Sequence, residues 1–142
     1  MQRQSRSYQS RKTGRGAAGE DTLKGGSHRD TLQGGSGQDT LKGKRGDDNL
    51  HGGDGDDSLI GGDGADRFVL STGNDTITDF DPEQGDQLVI DPDLNLSFKQ
   101  DGNHLLLLDD SQSIHTTLLN TTLDQLLAAH PELSLIHISE PT

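Results

Sequence analysis

The chain has 142 residues, a formal net charge of −12, and 27% hydrophobic against 25% charged residues, with aromatics at only 3%. So little apolar mass excludes a large buried core, and the absence of cysteine excludes disulfides and thiolate metal sites. No apolar run approaches the roughly 18 residues of a membrane span, and the basic N-terminus lacks the apolar stretch of a cleavable signal.

Residues 1–15 carry Arg3, Arg6, Arg11, Lys12 and Arg15 with no acid. With no aromatic interleaving beyond Tyr8, this head reads as a disordered basic arm and not as a nucleic-acid-binding element. A nine-residue unit then recurs six times in one frame, from Gly16-Ala-Ala-Gly-Glu-Asp-Thr-Leu-Lys24 to Gly61-Gly-Asp-Gly-Ala-Asp-Arg-Phe-Val69. Every unit has Gly first, Asp sixth and an apolar residue eighth. A fading seventh unit, Leu70 to Thr78, keeps Gly73, Asp75 and Ile77 in frame. Such a strict period argues against the disorder that this composition alone would suggest.

Glycines at the first, second and fourth places permit a tight turn with positive φ and leave backbone carbonyls bare to face a cation. The aspartate adds a carboxylate beside them. The last three residues form a short strand whose middle side chain points inward. Two units make one coil of a flattened helix, so turns from alternate units stack on each edge at the strand spacing of about 4.8 Å, with room for cations between them.

This pattern resembles the repeats-in-toxin (RTX) family, with its Gly-Gly-x-Gly-x-Asp-x-apolar-x consensus. The resemblance covers Gly16 to about Thr78. It implies an all-β, right-handed parallel β-roll that holds Ca²⁺ between turns through Asp carboxylates and backbone carbonyls. One edge would stack the turns of Asp21, Asp39 and Asp57, the other those of Asp30, Asp48 and Asp66. Three turns per edge leave two gaps each, hence about four calcium ions, with Asp75 adding a partial fifth site. The metal-site residues are then Asp21, Asp30, Gly34, Gly35, Gly37, Asp39, Asp48, Gly52, Gly53, Gly55, Asp57, Gly61, Gly62, Gly64, Asp66 and Asp75.

The sites should be unequal. Ala17, Ala18 and His28 break the consensus, and Lys44 and Arg45 put two cations beside a turn, whereas units 52–60 and 61–69 match it fully. The gap between Gly34–Asp39 and Gly52–Asp57 should be tightest. Because seven inward apolar side chains offset little of the entropy of ordering the array, and stacked aspartates repel, folding is expected to be coupled to calcium.

Competing signals fail. The stretches starting at Asp79 and Asp91 begin like EF-hand loops but lack the sixth-place Gly and the acidic twelfth residue. Gly14-Arg-Gly-Ala-Ala-Gly19 fits a dinucleotide fingerprint by letter only, with no strand before it and no helix after. The six histidines show no zinc spacing, and neither His-Glu-x-x-His nor Gly-x-Ser-x-Gly occurs, so the chain is read as no enzyme in itself.

Beyond the array, a strand is predicted at Gln87–Ile90, then at Leu94–Lys99, His104–Leu108 and near Ile114–Leu119, with a turn at Asp101-Gly-Asn103. These form a β cap over the open end of the roll. A short helix follows over Thr122–His130, capped by Thr121 or Thr122 and stopped by Pro131. The cap region spans 79–132. The last ten residues, from Leu133, read like an in-frame translation of a sequencing adapter, so the natural sequence is expected to end near Glu132. The resemblance further implies an extracellular protein exported by type I secretion machinery. This chain would then be the C-terminal folding and secretion module of a larger toxin, protease or lipase, with no specific protein partner legible.

Overall fold

The computed structural model describes residues 3–7, 13–15, 18–91, 96–111 and 113–131. The expected tail from Leu133 lies outside them. Each full repeat supplies one three- to five-residue strand: β3 (Glu20–Lys24), β4 (Thr31–Gln33), β5 (Thr40–Lys42), β6 (Asn49–His51), β7 (Ser58–Ile60) and β8 (Arg67–Val69). The fading unit adds β9 (Gly73–Ile77), and β10 (Gln87–Val89) follows. Successive strands alternate between two parallel sheets, β3-β5-β7-β9 in one and β4-β6-β8-β10 in the other. The architecture is a parallel β-roll.

Register is set by the eighth residue of each unit. Leu23 pairs with Leu41, Leu41 with Leu59 and Leu59 with Ile77, while Leu32 pairs with Leu50, Leu50 with Phe68 and Phe68 with Leu88. All eight side chains are buried between the sheets. Their neighbours alternate outward, as a one-sided strand requires.

The basic head departs from expectation. Arg3–Ser7 (β1) pairs in parallel with β3, and Thr13–Arg15 (β2) with β4. Parallel pairing needs only backbone donors and acceptors, and the first repeats offer two open edges. Thr13–Arg15 also occupies the seventh to ninth places of a unit that has lost every consensus residue.

At the other end, β13 (Ile114–Leu118) adds in parallel to β9, and the antiparallel strands β12 (His104–Asp109) and β11 (Leu96–Asp101) extend the same sheet. A two-residue turn, Gly102-Asn103, joins β11 and β12, with Gly102 at φ 61°. Helix α1 (Leu123–Ala129) starts with a capping box, in which the Thr122 side chain accepts from Gln125 N and the Gln125 side chain accepts from Thr122 N. Gln100 binds the pieces together: its amide nitrogen donates to the carbonyls of His104 and Thr121, and its oxygen accepts from Leu123 N. His130 Nε2 accepts from Leu88 N at 2.9 Å, so the end of the helix closes onto β10.

Left-handed backbone recurs in the turns, and one position pays a steric penalty for it. Gly53 has φ 91°, and a Cβ there would strike the Gly35 carbonyl of the turn stacked on it. Lys44, at the same second place in its own unit, has φ 73°. A residue with a Cβ loses about 1 kcal/mol or more in that conformation. Lys44→Gly is therefore expected to stabilise the calcium-loaded protein by about 1 kcal/mol, read as a rise in melting temperature; no rise would contradict this strain.

Candidate metal centres

The sixth-place aspartates form two columns, one on each edge of the roll. On the first, the backbone N–H of Asp21 donates to Asp39 Oδ1 at 3.0 Å, Asp39 N to Asp57 at 2.8 Å and Asp57 N to Asp75 at 2.9 Å. On the second, Asp30 N donates to Asp48 at 2.8 Å, Asp48 N to Asp66 at 2.9 Å and Asp66 N to Asp86 at 2.8 Å. The grouping expected from the period is the one the fold produces, and each column gains a terminal member, Asp75 or Asp86. All eight carboxylates are nearly inaccessible, at 3% exposure or less.

The second carboxylate oxygens divide these residues. In Asp39, Asp48, Asp57 and Asp66, Oδ2 is buried with no hydrogen-bond partner. In three others it is satisfied internally: Asp30 accepts from Gly26 N at 2.8 Å, Asp75 from the Ser71 hydroxyl at 3.0 Å and Asp86 from Asp81 N at 2.9 Å. A buried carboxylate oxygen without a donor is costly, and the two remedies are a proton or a cation.

The surroundings favour a hard cation. A Cβ built on Gly34 would lie 2.5 Å from Asp39 Oδ2 and 2.6 Å from the Gly52 carbonyl oxygen of the next turn on that edge. The two oxygens are thus no more than about 5 Å apart, about twice a Ca²⁺–oxygen distance. The same arrangement recurs at Gly43, between Asp48 Oδ2 and the Gly61 carbonyl. Among the described residues no three acidic or imidazole side chains form a ready-made cluster, so backbone carbonyls must supply much of any coordination shell. Gly34, Gly52 and Gly61 accordingly leave room beside their own aspartates, and Gly35, Gly37, Gly53, Gly55, Gly62 and Gly64 have the positive φ that aims the turns.

Burial, opposed by the backbone N–H bonds and reinforced by neighbouring aspartates, raises these acids. Asp39 reaches about 6, Asp48 about 7, Asp57 about 8 and Asp66 about 8. Asp75 and Asp86, at the column ends, reach about 6.

Several participants lie outside the residues that the period singled out. Asp47 and Asp56, at the fifth place of their units, accept from Ala65 N and Asn74 N at 2.8 Å and so hold successive turns together. Asp79 accepts from Gly61 N at 2.9 Å and Gly62 N at 2.7 Å. It stands eighteen residues after Gly61, at the first place of the next unit on that edge, where the repeat has glycine and not aspartate. Asp86 stands twenty after Asp66, and no extension of the frame reaches it.

Stacked acid columns along a parallel roll of nonapeptides define a class of repeat-built, cation-binding β-rolls. The family model for the RTX calcium-binding nonapeptide repeat (4 copies) matches residues 13–41 and 42–77. Residues 13–77 are thus RTX calcium-binding repeats, and the repeats and fold together support calcium binding. Its structure is similar to the solution structure of the AlgE6R3 subunit of the Azotobacter vinelandii mannuronan C5-epimerase, with 27% identity and a TM-score of 0.56 over 87% of this chain and 80% of that one. The extracellular lipase LipA of Serratia marcescens is a more remote match, at 24% identity and a TM-score of 0.44, covering 77% of this chain and 16% of that one. No curated protein matches the sequence significantly. None of the helices in the described residues is long and apolar enough to cross a membrane.

Proposed function

We propose that this chain is a calcium-binding structural module that takes up about four ions along the two edges of its roll and folds as it does so. The observation that carries this reading is the set of four buried Oδ2 atoms, on Asp39, Asp48, Asp57 and Asp66, that lack hydrogen-bond donors. Bound calcium supplies positive charge and polarises the oxygens around it. The chain's own groups do the rest: the aspartates fix the ion between turns, the glycine turns present carbonyls, and the leucine ladders hold the turns in register. The gap between the turns of Asp30 and Asp48 should be weak, because Asp30 already has a donor for its second oxygen.

Affinity in the range of about 10⁻⁴ to 10⁻³ M per site suits an extracellular setting, where calcium is abundant. Type I export and attachment to a larger secreted protein are part of the same proposal, supported by the RTX repeats. A module carried by an enzyme is favoured by the likeness to a subunit of an epimerase. Calorimetric titration of the full chain at pH 7.5 is expected to count about four ions, and no heat of binding would overturn the proposal.

The raised acids set the pH dependence. A carboxyl raised in the folded state stabilises that state below its unfolded value of 3.8, and this contribution is lost as pH climbs through about 6 to 8. The metal-free roll should therefore be least unstable near pH 4 and weaken toward pH 8. Calcium binds the ionised carboxylates, a form that the unfolded chain already presents well above 3.8. The calcium concentration at half-folding should therefore change little between about pH 8 and 6 and rise as pH approaches about 4, and a steep rise between about pH 8 and 6 would contradict the assignment.

A further inference from the structure

Strand β10 is the outermost strand of its sheet, whose order ends β6-β8-β10. Its inner side is taken up by the roll: Gln87 N donates to the Asp66 carbonyl at 2.9 Å, and the Val89 carbonyl accepts from Leu70 N at 3.2 Å. The residue between them points its backbone groups the other way, so Leu88 N faces the open edge. There it meets a side chain and not a strand. It donates to His130 Nε2 at 2.9 Å, and both residues are buried, Leu88 at 4% exposure and His130 at 7%.

An imidazole nitrogen that accepts a hydrogen bond carries no proton, so this contact requires a neutral ring with its hydrogen on Nδ1. A backbone N–H can only donate. A proton on Nε2 would set two donors against each other at a buried contact and break the bond. That bond closes the C-terminal end of α1, where His130 is the C-cap, onto a strand 42 residues away in sequence. The other end of the helix is held differently. Gln100 accepts there from Leu123 N and donates to the Thr121 carbonyl, and an amide does not titrate. Between the two fastenings Leu126 is fully buried, in one core with Leu88 and Phe80.

The charged groups on the elements packed around this end are Asp81 and Glu83 at the 3-10 turn Pro82–Gln84, Asp86 beside β10, Lys99 and Asp101 on β11, and Asp124 on the helix. The two acids nearest β10 in sequence are engaged elsewhere: Asp86 accepts from Asp66 N and Asp81 N, and Asp81 from Glu83 N. The ring is therefore the acceptor on which Leu88 N depends.

We propose that His130 is an acid-sensitive latch, which holds the end of α1 on β10 while neutral and, once protonated, releases it and uncovers the strand edge. The device acts on the cap, independently of the acid columns, and works in the interval in which imidazoles change charge, about pH 8 to 5. Its pH-blind partner at Gln100 makes the release one-sided, so the helix swings from its start and stays attached to the chain's hairpin.

The test is NMR of the full ¹⁵N-labelled chain in about 10 mM calcium, taken from about pH 8 to 5. At the upper end the His130 ring is expected as the Nδ1–H tautomer, and an Nε2–H tautomer would overturn the proposal. As the pH falls, the amide signals of Leu88 and of Leu126 to Ala129 should shift with the midpoint of the ring, while those of the repeat strands, such as Leu41, stay in place. A ring that gains its proton with these amides unmoved, or that stays neutral throughout, would overturn it. His130→Gln keeps an acceptor oxygen that does not titrate, and should abolish the transition of the helix. A transition that persists in this variant would lie elsewhere, as at His104, whose Nδ1 accepts from Asn120 N at 3.0 Å, and would overturn the assignment to His130. If His130→Gln fails to fold, the tautomer and the shared midpoint of the unaltered chain decide.

Discussion

Replacing Phe68 by alanine is expected to destabilise the calcium-loaded protein by about 3–5 kcal/mol. Phe68 is fully buried, stands between Leu50 and Leu88 in the inner ladder of its sheet, and packs edge-on against Phe80 with ring centroids 6.2 Å apart. Under the proposed coupling of folding to calcium, the loss should also appear as a higher calcium requirement. About 4 kcal/mol shared over about four ions is about 1 kcal/mol per ion, or roughly a five-fold rise in the half-folding concentration. Thermal unfolding in saturating calcium, and a calcium titration of the variant, measure both. A change below about 1 kcal/mol would mean that this rung is not part of a close-packed core.

The inner ladders were legible in the sequence because the eighth place is apolar in every unit and a strand shows one face to the core. Leu23 through Ile77 needed only the period. The two acid columns followed from the same arithmetic, since residues eighteen apart return to the same edge. The hairpin of β11 and β12 and the Thr122 cap were legible from alternation and turn chemistry. The first of these strands was expected at Leu94–Lys99 and runs over Leu96–Asp101, with residues 94 and 95 outside the described part.

The rest was hidden for identifiable reasons. Strands β1 and β2 are recruited by backbone pairing to open edges, an interaction that does not select side chains. Asp86 is displaced from the frame by the turn Pro82–Gln84, and a two-residue slip defeats any count by nines. The distinction between aspartates whose Oδ2 has a donor and those without one depends on Gly26, Ser71 and Asp81, whose reach only the folded backbone reveals. That distinction moves the best-supported metal gaps toward the cap, away from the N-terminal turn of Asp30.

Removal of calcium should have the largest effect of all. Without the ion, four buried carboxylate oxygens have neither donor nor counter-charge, and each sits in a column of like charges at the spacing of adjacent strands. The inner ladders are one residue wide per strand and cannot offset that penalty together with the entropy of ordering the turns. The metal-free chain is therefore expected to be largely unfolded at neutral pH, with the array and cap forming together on calcium addition. Circular dichroism of the full chain, first in chelator and then through a titration to about 10 mM calcium, well above the affinity expected for such sites, tests this most directly. The account predicts little β signal in chelator and a cooperative gain of β structure with calcium; the same β content in both conditions would contradict it.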